Sequence, residues 1–514
     1  MKISAFFWTQ FAGAFNDNFY KNALILWITF SAPGLDGGLR STLVILCSAV
    51  FILPFFLFSA TAGWLADRYP KDRVIRWTKA AEIVIMGAGA VGFALGSIPA
   101  LILVLFLMGA QSAWFGPAKY GIVPELAHEE DLLRANGLVA MGTFVAILTG
   151  TLFGGIAGSL PDGPATTGLA VVLIALFGWV ASLRIPRLEA KAPVLMRRGG
   201  IWRETRIRLH EIRRSQRIFP LLVAISWFWF HGAFVLQLLP IQVMASGGSW
   251  ILPETVAWLA EDRGGSGSLV TLSLLLFSGG IGLGSMISGR RRTRHIETAS
   301  SVTALILLAA SAILLPLADG VIWLTLGFLA LSGIAAGLYS VPLYSAIQSA
   351  APPEERARFF AGGNILDAGF MVGASLLMQA LEFVAIEPVE RFAVLGLLDL
   401  LFLLLWLWPR SDLVQRYLLR FSQDTRRELI GRPEHACIFT CPATFSRATL
   451  ASLALSFPCL PAGYDGKGHS PEDTASLVAN GTSVVHTEGS PLPAGTLRYR
   501  VTLDGKFFVC TLDA

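Results

Sequence analysis

From the N terminus to about residue 409 the chain is a succession of apolar stretches parted by short polar joints. About twelve can be read, near 5–31, 39–66, 74–96, 98–118, 136–160, 165–185, 219–245, 266–289, 297–318, 321–346, 360–384 and 390–409. A bilayer core is about 30 Å thick and asks for roughly 20 apolar residues per helix. Lipid offers no water to backbone N–H and C=O groups, so each stretch must be helical. Of the 514 residues, 54% are hydrophobic and only 15% charged, with mean hydropathy +0.62, which excludes an ordinary soluble enzyme. The first stretch is too long for a cleaved signal and lacks a small-x-small exit, so it is read as a span.

Charge predicts orientation. Arg68, Lys71, Arg73, Arg76 and Lys79 follow the second stretch, a dense basic run occupies Arg184 to Arg217, and Arg290, Arg291, Arg292 and Arg294 follow the eighth. The alternate loops carry Glu254, Glu261, Asp262, Asp319, Glu382 and Glu387 instead. The positive-inside rule then places both termini in the cytoplasm. The net charge of +5 reports topology and headgroup anchoring rather than a nucleic-acid partner.

The chain also repeats itself. Phe11-Ala12-Gly13-Ala14-Phe15 returns as Phe230-His231-Gly232-Ala233-Phe234. Gly116-Pro117-Ala118-Lys119-Tyr120, an acidic loop and Arg134-Ala135-Asn136 return as Ser340-Val341-Pro342-Leu343-Tyr344, an acidic loop and Gly362-Gly363-Asn364. Both copies run the same way, which predicts an all-α membrane protein of two parallel six-helix halves, residues 1–185 and 219–410, joined by a basic cytoplasmic linker, 186–218. That architecture resembles the major facilitator superfamily, a twelve-helix fold with the substrate path between the halves. Gly63-Trp64-Leu65-Ala66-Asp67-Arg68-Tyr69-Pro70-Lys71-Asp72-Arg73 is similar to the superfamily's loop signature, Gly-x3-Asp-Arg-x-Gly-Arg-Lys, with Pro70 in place of the second glycine. By this resemblance Gly63, Asp67 and Arg68 form a conformational gate. Asp67, at a helix end, is expected to face the positive N-terminus of the eleventh span near Gly362. The alternative is a tight basic turn on the headgroups.

A finer resemblance rests on Gln10-Phe11-x-x-Ala14-Phe15-x-Asp17-Asn18, Pro117-Ala118-Lys119-Tyr120-Gly121-Ile122-x-x-Glu125-Leu126, Leu133-x-Ala135-Asn136-Gly137-Leu138, Ala146-Ile147-Leu148 and Gly154-Gly155. These resemble the lysophospholipid transporter family. The resemblance implies movement of lysophosphatidylethanolamine-type lipids from the outer to the inner leaflet of the bacterial inner membrane, where they are reacylated. The implied partners are membrane lipids, the lysophospholipid and a phospholipid acyltransferase.

The residues fit such a substrate. About twelve residues precede Asp17 in its helix, which at roughly 1.5 Å each puts it near the bilayer midplane. A carboxylate there is costly unless it meets a cavity or a partner. Asp17 can take the ammonium of a zwitterionic headgroup, Lys21 and Lys119 its phosphate, and Asn16, Asn18 and Gln237 its neutral groups. The Phe and Trp of the first and seventh spans can line a cleft for the acyl chain. Other readings stay open. Asp17 and Lys21 stand i,i+4 and can pair with each other. Lys119 can be an end-of-helix lysine that snorkels. His231 is read as a packing residue. Glu82, Asp367 and Asp399 are read as helix contacts, with Asp367 the best functional candidate among them. The seventh span carries no Arg or Lys, which leaves a phosphate site built from both halves without a second cation.

The tail, 411–514, is soluble in composition and holds Cys437, Cys441, Cys459 and Cys510. Cys437-x3-Cys441 lacks zinc-knuckle spacing and no second pair follows, so neither metal nor cofactor is expected. The order of features resembles a degenerate glycerophospholipid acyltransferase domain. An apolar strand precedes the place of His-x4-Asp, where Ala443 and Ala448 stand, and a second strand leads to Glu488-Gly489 in the place of a phosphate-binding turn. Without His and Asp no general base remains, so no enzyme activity is expected. An unrelated small α/β or partly unstructured tail is the alternative. For the whole chain, a proton-coupled facilitator exporting a drug or metabolite, with Asp17 as proton carrier, stands beside lysophospholipid flipping.

Overall fold

A computed structural model describes residues 3–32, 36–160, 163–195, 199–245, 265–290, 298–318 and 321–407, and in the tail 437–441, 484–487, 496–503 and 506–513. The chain divides into two units, Met1–Leu401 and Phe402–Ala514.

The first unit is helical. α1 (Ser4–Leu26) runs on through a π-helical turn, Trp27–Ser31. It is followed by α2 (Gly37–Arg68), α3 (Lys71–Ala94), α4 (Ile98–Leu126), α5 (Leu132–Ser159) and α6 (Gly163–Leu183). A short helix in the linker, α7 (Ile201–Arg214), precedes α8 (Phe219–Ala245), α9 (Gly265–Ser288), α10 (Ala299–Leu314), α11 (Ile322–Ala350), α12 (Arg356–Phe383) and α13 (Pro388–Leu407). Each predicted span finds its helix, and several helices run past the apolar run into charged ends. Among the described residues, nine helices are long and apolar enough to cross a membrane. The others of comparable length, α1, α3 and α13, carry Asp17 and Lys21, Lys79 and Glu82, and Asp399, so polarity inside the bundle is what separates them.

Small residues set the packing. A Cβ on Gly150, Gly154 or Gly158 of α5 would stand 2.4, 2.3 and 2.7 Å from the carbonyl oxygens of Phe15, Phe19 and Ala23 in α1. Three glycines four apart thus let two backbones touch along one stripe, where dispersion replaces the hydrophobic drive that lipid cannot supply. In the second half Gly333 and Gly337 of α11 meet the carbonyl oxygens of Phe277 and Ile281 in α9 in the same way.

Each half also encloses a charged cluster. Lys79 and Glu82 of α3 are buried and ion-paired; Glu82 accepts from Asn16 Nδ2 at 3.1 Å and from Gln111 Nε2 at 3.2 Å. In the second half buried Asp399 accepts from Trp227 Nε1 at 2.8 Å, and His231 Nδ1 lies 3.0 Å from its other oxygen. Buried charge is tolerated only when partnered in this manner.

The halves meet on the face where α1 begins. There α2 packs on α12, α5 on α9, and α4 on α11 and α12. The repeated motifs form this contact. Tyr120 stacks on Tyr344 with ring centroids 4.5 Å apart, Asn136 Nδ2 donates to Gln348 Oε1 at 2.6 Å and Ser345 Oγ at 2.9 Å, and Asn364 lies against Gly116.

In the second unit four strands form one sheet: β1 (Cys437–Cys441), β2 (Val484–Thr487), β3 (Thr496–Leu503) and β4 (Lys506–Asp513), in the order β2-β1-β4-β3. β1 pairs parallel with β2 and antiparallel with β4, and β3 pairs antiparallel with β4. The two strands expected from the sequence are thus neighbours in one sheet. Ala443, Ala448 and the Glu488-Gly489 turn, on which the acyltransferase reading depends, lie outside the described residues.

Candidate functional site

α1 is sorted by its helical period. Successive side chains turn by about 100°, so Asn16, Asp17 and Asn18 cannot share an environment. Asp17 is half-buried and its Oδ2 accepts from Ser112 Oγ of α4 at 2.6 Å. Lys21, one turn on, does not close an ion pair with it. Lys21 Nζ lies 3.4 Å from Asn18 Oδ1 and 5.6 Å from the centroid of Phe51. The self-paired reading of Asp17 and Lys21 is therefore not realised, and Asp17 stands among the described residues without a cation in direct contact. Asn18, half-buried, donates to its own helix at Ala14.

Asn16 is fully buried and donates to Glu82 and, at 3.1 Å, to the carbonyl of Val171 in α6. It belongs to the cluster that joins α1 to α3 and α6.

Lys119, on α4, is buried rather than snorkelling. Its Nζ donates to Thr143 Oγ1 of α5 at 2.9 Å and sits 5.4 Å from the Tyr120 ring centroid. Thr143 in turn donates to Gln10 Oε1 at 2.8 Å. Thr143 lines a small cavity between the halves, walled by Tyr120, Phe144, Phe228, Trp229 and Tyr344. Lys119 thus stands behind an aromatic-walled space of which each half supplies one side. Gln237 of α8 is half-buried and donates to its own helix at Ala233.

At the edge of this closed face Asp67 is fully buried. It accepts from the backbone N–H of Ala357 at 3.0 Å and of Arg358 at 3.1 Å, and from Arg358 Nε at 3.0 Å. Glu355, which precedes α12, supplies no side-chain cap, so Asp67 caps that helix from the opposite half and meets its positive dipole end. Gly63 makes this possible: a Cβ there would stand 2.5 Å from Ala361 Cβ. Two details differ from expectation. Asp67 meets α12 at Ala357 and Arg358, whereas Gly362 faces Ile212 of α7. Arg68 points away from α12 and donates to the Leu195 carbonyl of the linker at 2.9 Å.

Ser112, Thr143 and Gln10 hold the candidate side chains, yet single hydroxyls in apolar helices are common and carried no signal of their own; Gln10 was visible only as part of its motif. Among the described residues no group of His, Cys, Asp and Glu is placed to hold a metal ion.

The family model described as Major Facilitator Superfamily matches residues 6–248. The chain resembles the solved human organic anion transporter MFSD10 (TETRAN) with TM-score 0.60 at 15% identity, over 77% of this chain and 98% of that one, a likeness of fold. The chain has the fold of the major facilitator superfamily. By sequence it is 28% identical over 377 residues to the lysophospholipid transporter LplT of Photorhabdus laumondii, covering 70% of this chain and 85% of the relative. It is 28% identical over 371 residues to LplT of Klebsiella pneumoniae, with the same shares.

Proposed function

We propose that this protein moves lysophosphatidylethanolamine-type lipids from the outer to the inner leaflet of the bacterial inner membrane by alternating access. The observation that carries the reading is the pairing of Asp17, an acid without a direct cation, with Lys119, a buried cation behind the cavity between the halves. A zwitterionic headgroup supplies the complementary charges, its ammonium to Asp17 and its phosphate to Lys119 and Lys21. The named function of the relatives agrees. Part-buried aromatic rings offer apolar surface for the single acyl chain: Phe7, Phe11 and Phe15 stack in sequence along α1.

The charge bias of the loops supports a cytoplasmic place for both termini and for the closed face. In this reading Asp67 on α12 with Tyr120 on Tyr344 hold the inner side shut, and the path opens toward the outer leaflet. Asp67, Gly63 and the α12 terminus then act as the gate.

The test is uptake of labelled lysophosphatidylethanolamine into cells or proteoliposomes carrying the protein, with and without a proton uncoupler. Uptake dependent on the protein supports the reading. Proton-coupled movement of a water-soluble solute, with no lipid uptake, overturns it in favour of an exporter.

A further inference from the structure

α12 turns one face to the first half. Phe360 stacks on Tyr120 with centroids 5.2 Å apart, and a Cβ on Gly116 would stand 2.5 Å from Asn364 Nδ2. Residues three and four apart share a helix face, so Asp367, one turn beyond Asn364, continues this one. α4 runs antiparallel to it and presents Tyr120, Gly116 and then Ser112, each four residues apart. Ser112 is the residue that holds Asp17. Asp367 and Asp17 therefore stand at one level on opposite halves, just beyond the closed face.

Asp367 is half-buried, and its Oδ1 accepts from Ser226 Oγ of α8 at 2.6 Å. Among the described residues no Lys, Arg or His pairs with it. Asp399 shows what a helix-contact acid looks like in the same half: fully buried, with Trp227 and His231 both on its carboxylate. Asp367 is held instead by one serine hydroxyl and faces the seam.

We propose that Asp367 is a second docking acid for the ammonium group of a zwitterionic lysolipid, contributed by the C-terminal half. The proposal rests on the flippase reading and adds a site in the half whose first span, residues 219–245, carries no Arg or Lys. Tyr344 and Trp229, joined by a 3.1 Å hydrogen bond from Trp229 Nε1 to the Tyr344 hydroxyl, line the cavity between the halves. A headgroup that reaches Lys119 and Asp17 on one half and Asp367 on the other binds best when the halves are drawn together around it. Such differential binding is what a transported ligand needs in order to drive a change of state.

The test compares binding of lysophosphatidylethanolamine and lysophosphatidate, the same lipid without ethanolamine, to the purified full-length protein, using its tryptophan fluorescence. Wild type is expected to prefer the ethanolamine lipid. Asp367→Asn is expected to lose about tenfold or more of that affinity, keep its affinity for lysophosphatidate and melt at the wild-type temperature; Asp367→Glu is expected to restore the preference. An unchanged preference in Asp367→Asn, or equal loss of both lipids, overturns the role of Asp367. Equal binding of the two lipids by wild type overturns any ammonium site while leaving flipping intact. A wild type that binds neither lipid overturns the flippase reading, and the docking acid with it.

Discussion

The ring of Tyr120 lies flat against that of Tyr344, with centroids 4.5 Å apart and planes 8° from parallel. The two tyrosines hold equivalent places in the two sequence repeats, so the chain shuts one face by setting a motif against its own copy. Phe360 stacks on Tyr120 as well, and the bonds from Asn136 to Gln348 and Ser345 run beside the stack.

Removing a ring from this stack is expected to loosen the closed face. Truncating a buried aromatic costs roughly 3–5 kcal/mol of local packing, part of which falls on the closed state alone. In a cysteine-free background, Ala140→Cys in the cavity wall is expected to be labelled faster from the N-terminal face once Tyr120→Ala is added. An unchanged labelling rate counts against the stack as a closure.

Asp67→Asn keeps the size of the side chain but removes the charge that faces Arg358 and the α12 terminus. A charge-assisted contact of this kind is worth about 1.5–3 kcal/mol, hence roughly a ten- to hundredfold shift in population. The variant is expected to favour the state open on the N-terminal face. Cysteine labelling from both sides reads it out, and equal accessibility on both sides in mutant and wild type rejects the lock.

Asp17→Asn is expected to abolish lysophospholipid uptake while the protein still inserts. Ser112 can still bond an amide oxygen, so the local fold survives while the charge opposite an ammonium is gone. Wild-type uptake by a well-expressed variant refutes the assignment.

Lys79 and Glu82 are expected to matter for stability. Both are buried, and removing one leaves the other charged and unpaired, at a cost of about 3–5 kcal/mol. Lys79→Met and Glu82→Met alone are expected to lower the melting temperature strongly, and the double variant to recover much of the loss. Additive losses contradict this account.

A chain ending near Arg416 is expected to flip lysophospholipid still, because every side chain invoked for transport lies in α1 to α12. The full-length protein is expected to show no acyl transfer. Loss of uptake in a truncated chain that inserts normally, or acyl transfer by the purified protein, goes against the expectation.

Apolar runs alone determined the long helices and their order. This was legible because lipid leaves the backbone one choice in each span, and that choice is local in sequence. The contact of Asp67 was half legible: an acid at a helix end invites a helix N-terminus, but which turn of α12 it reaches is decided by the close approach at Gly63. The site was less so. Asn16, Asp17 and Asn18 are adjacent in sequence, and only packing against α3, α4 and α6 turned Asn16 into a structural ligand of Glu82 and left Asp17 to Ser112. Asp367 and Asp399 both read as acids in apolar helices; only the tertiary structure set Asp399 against Trp227 and His231 and gave Asp367 to Ser226. Which face of a helix meets lipid, a neighbour or the cleft is fixed by partners far away in the chain, and no local pattern records them.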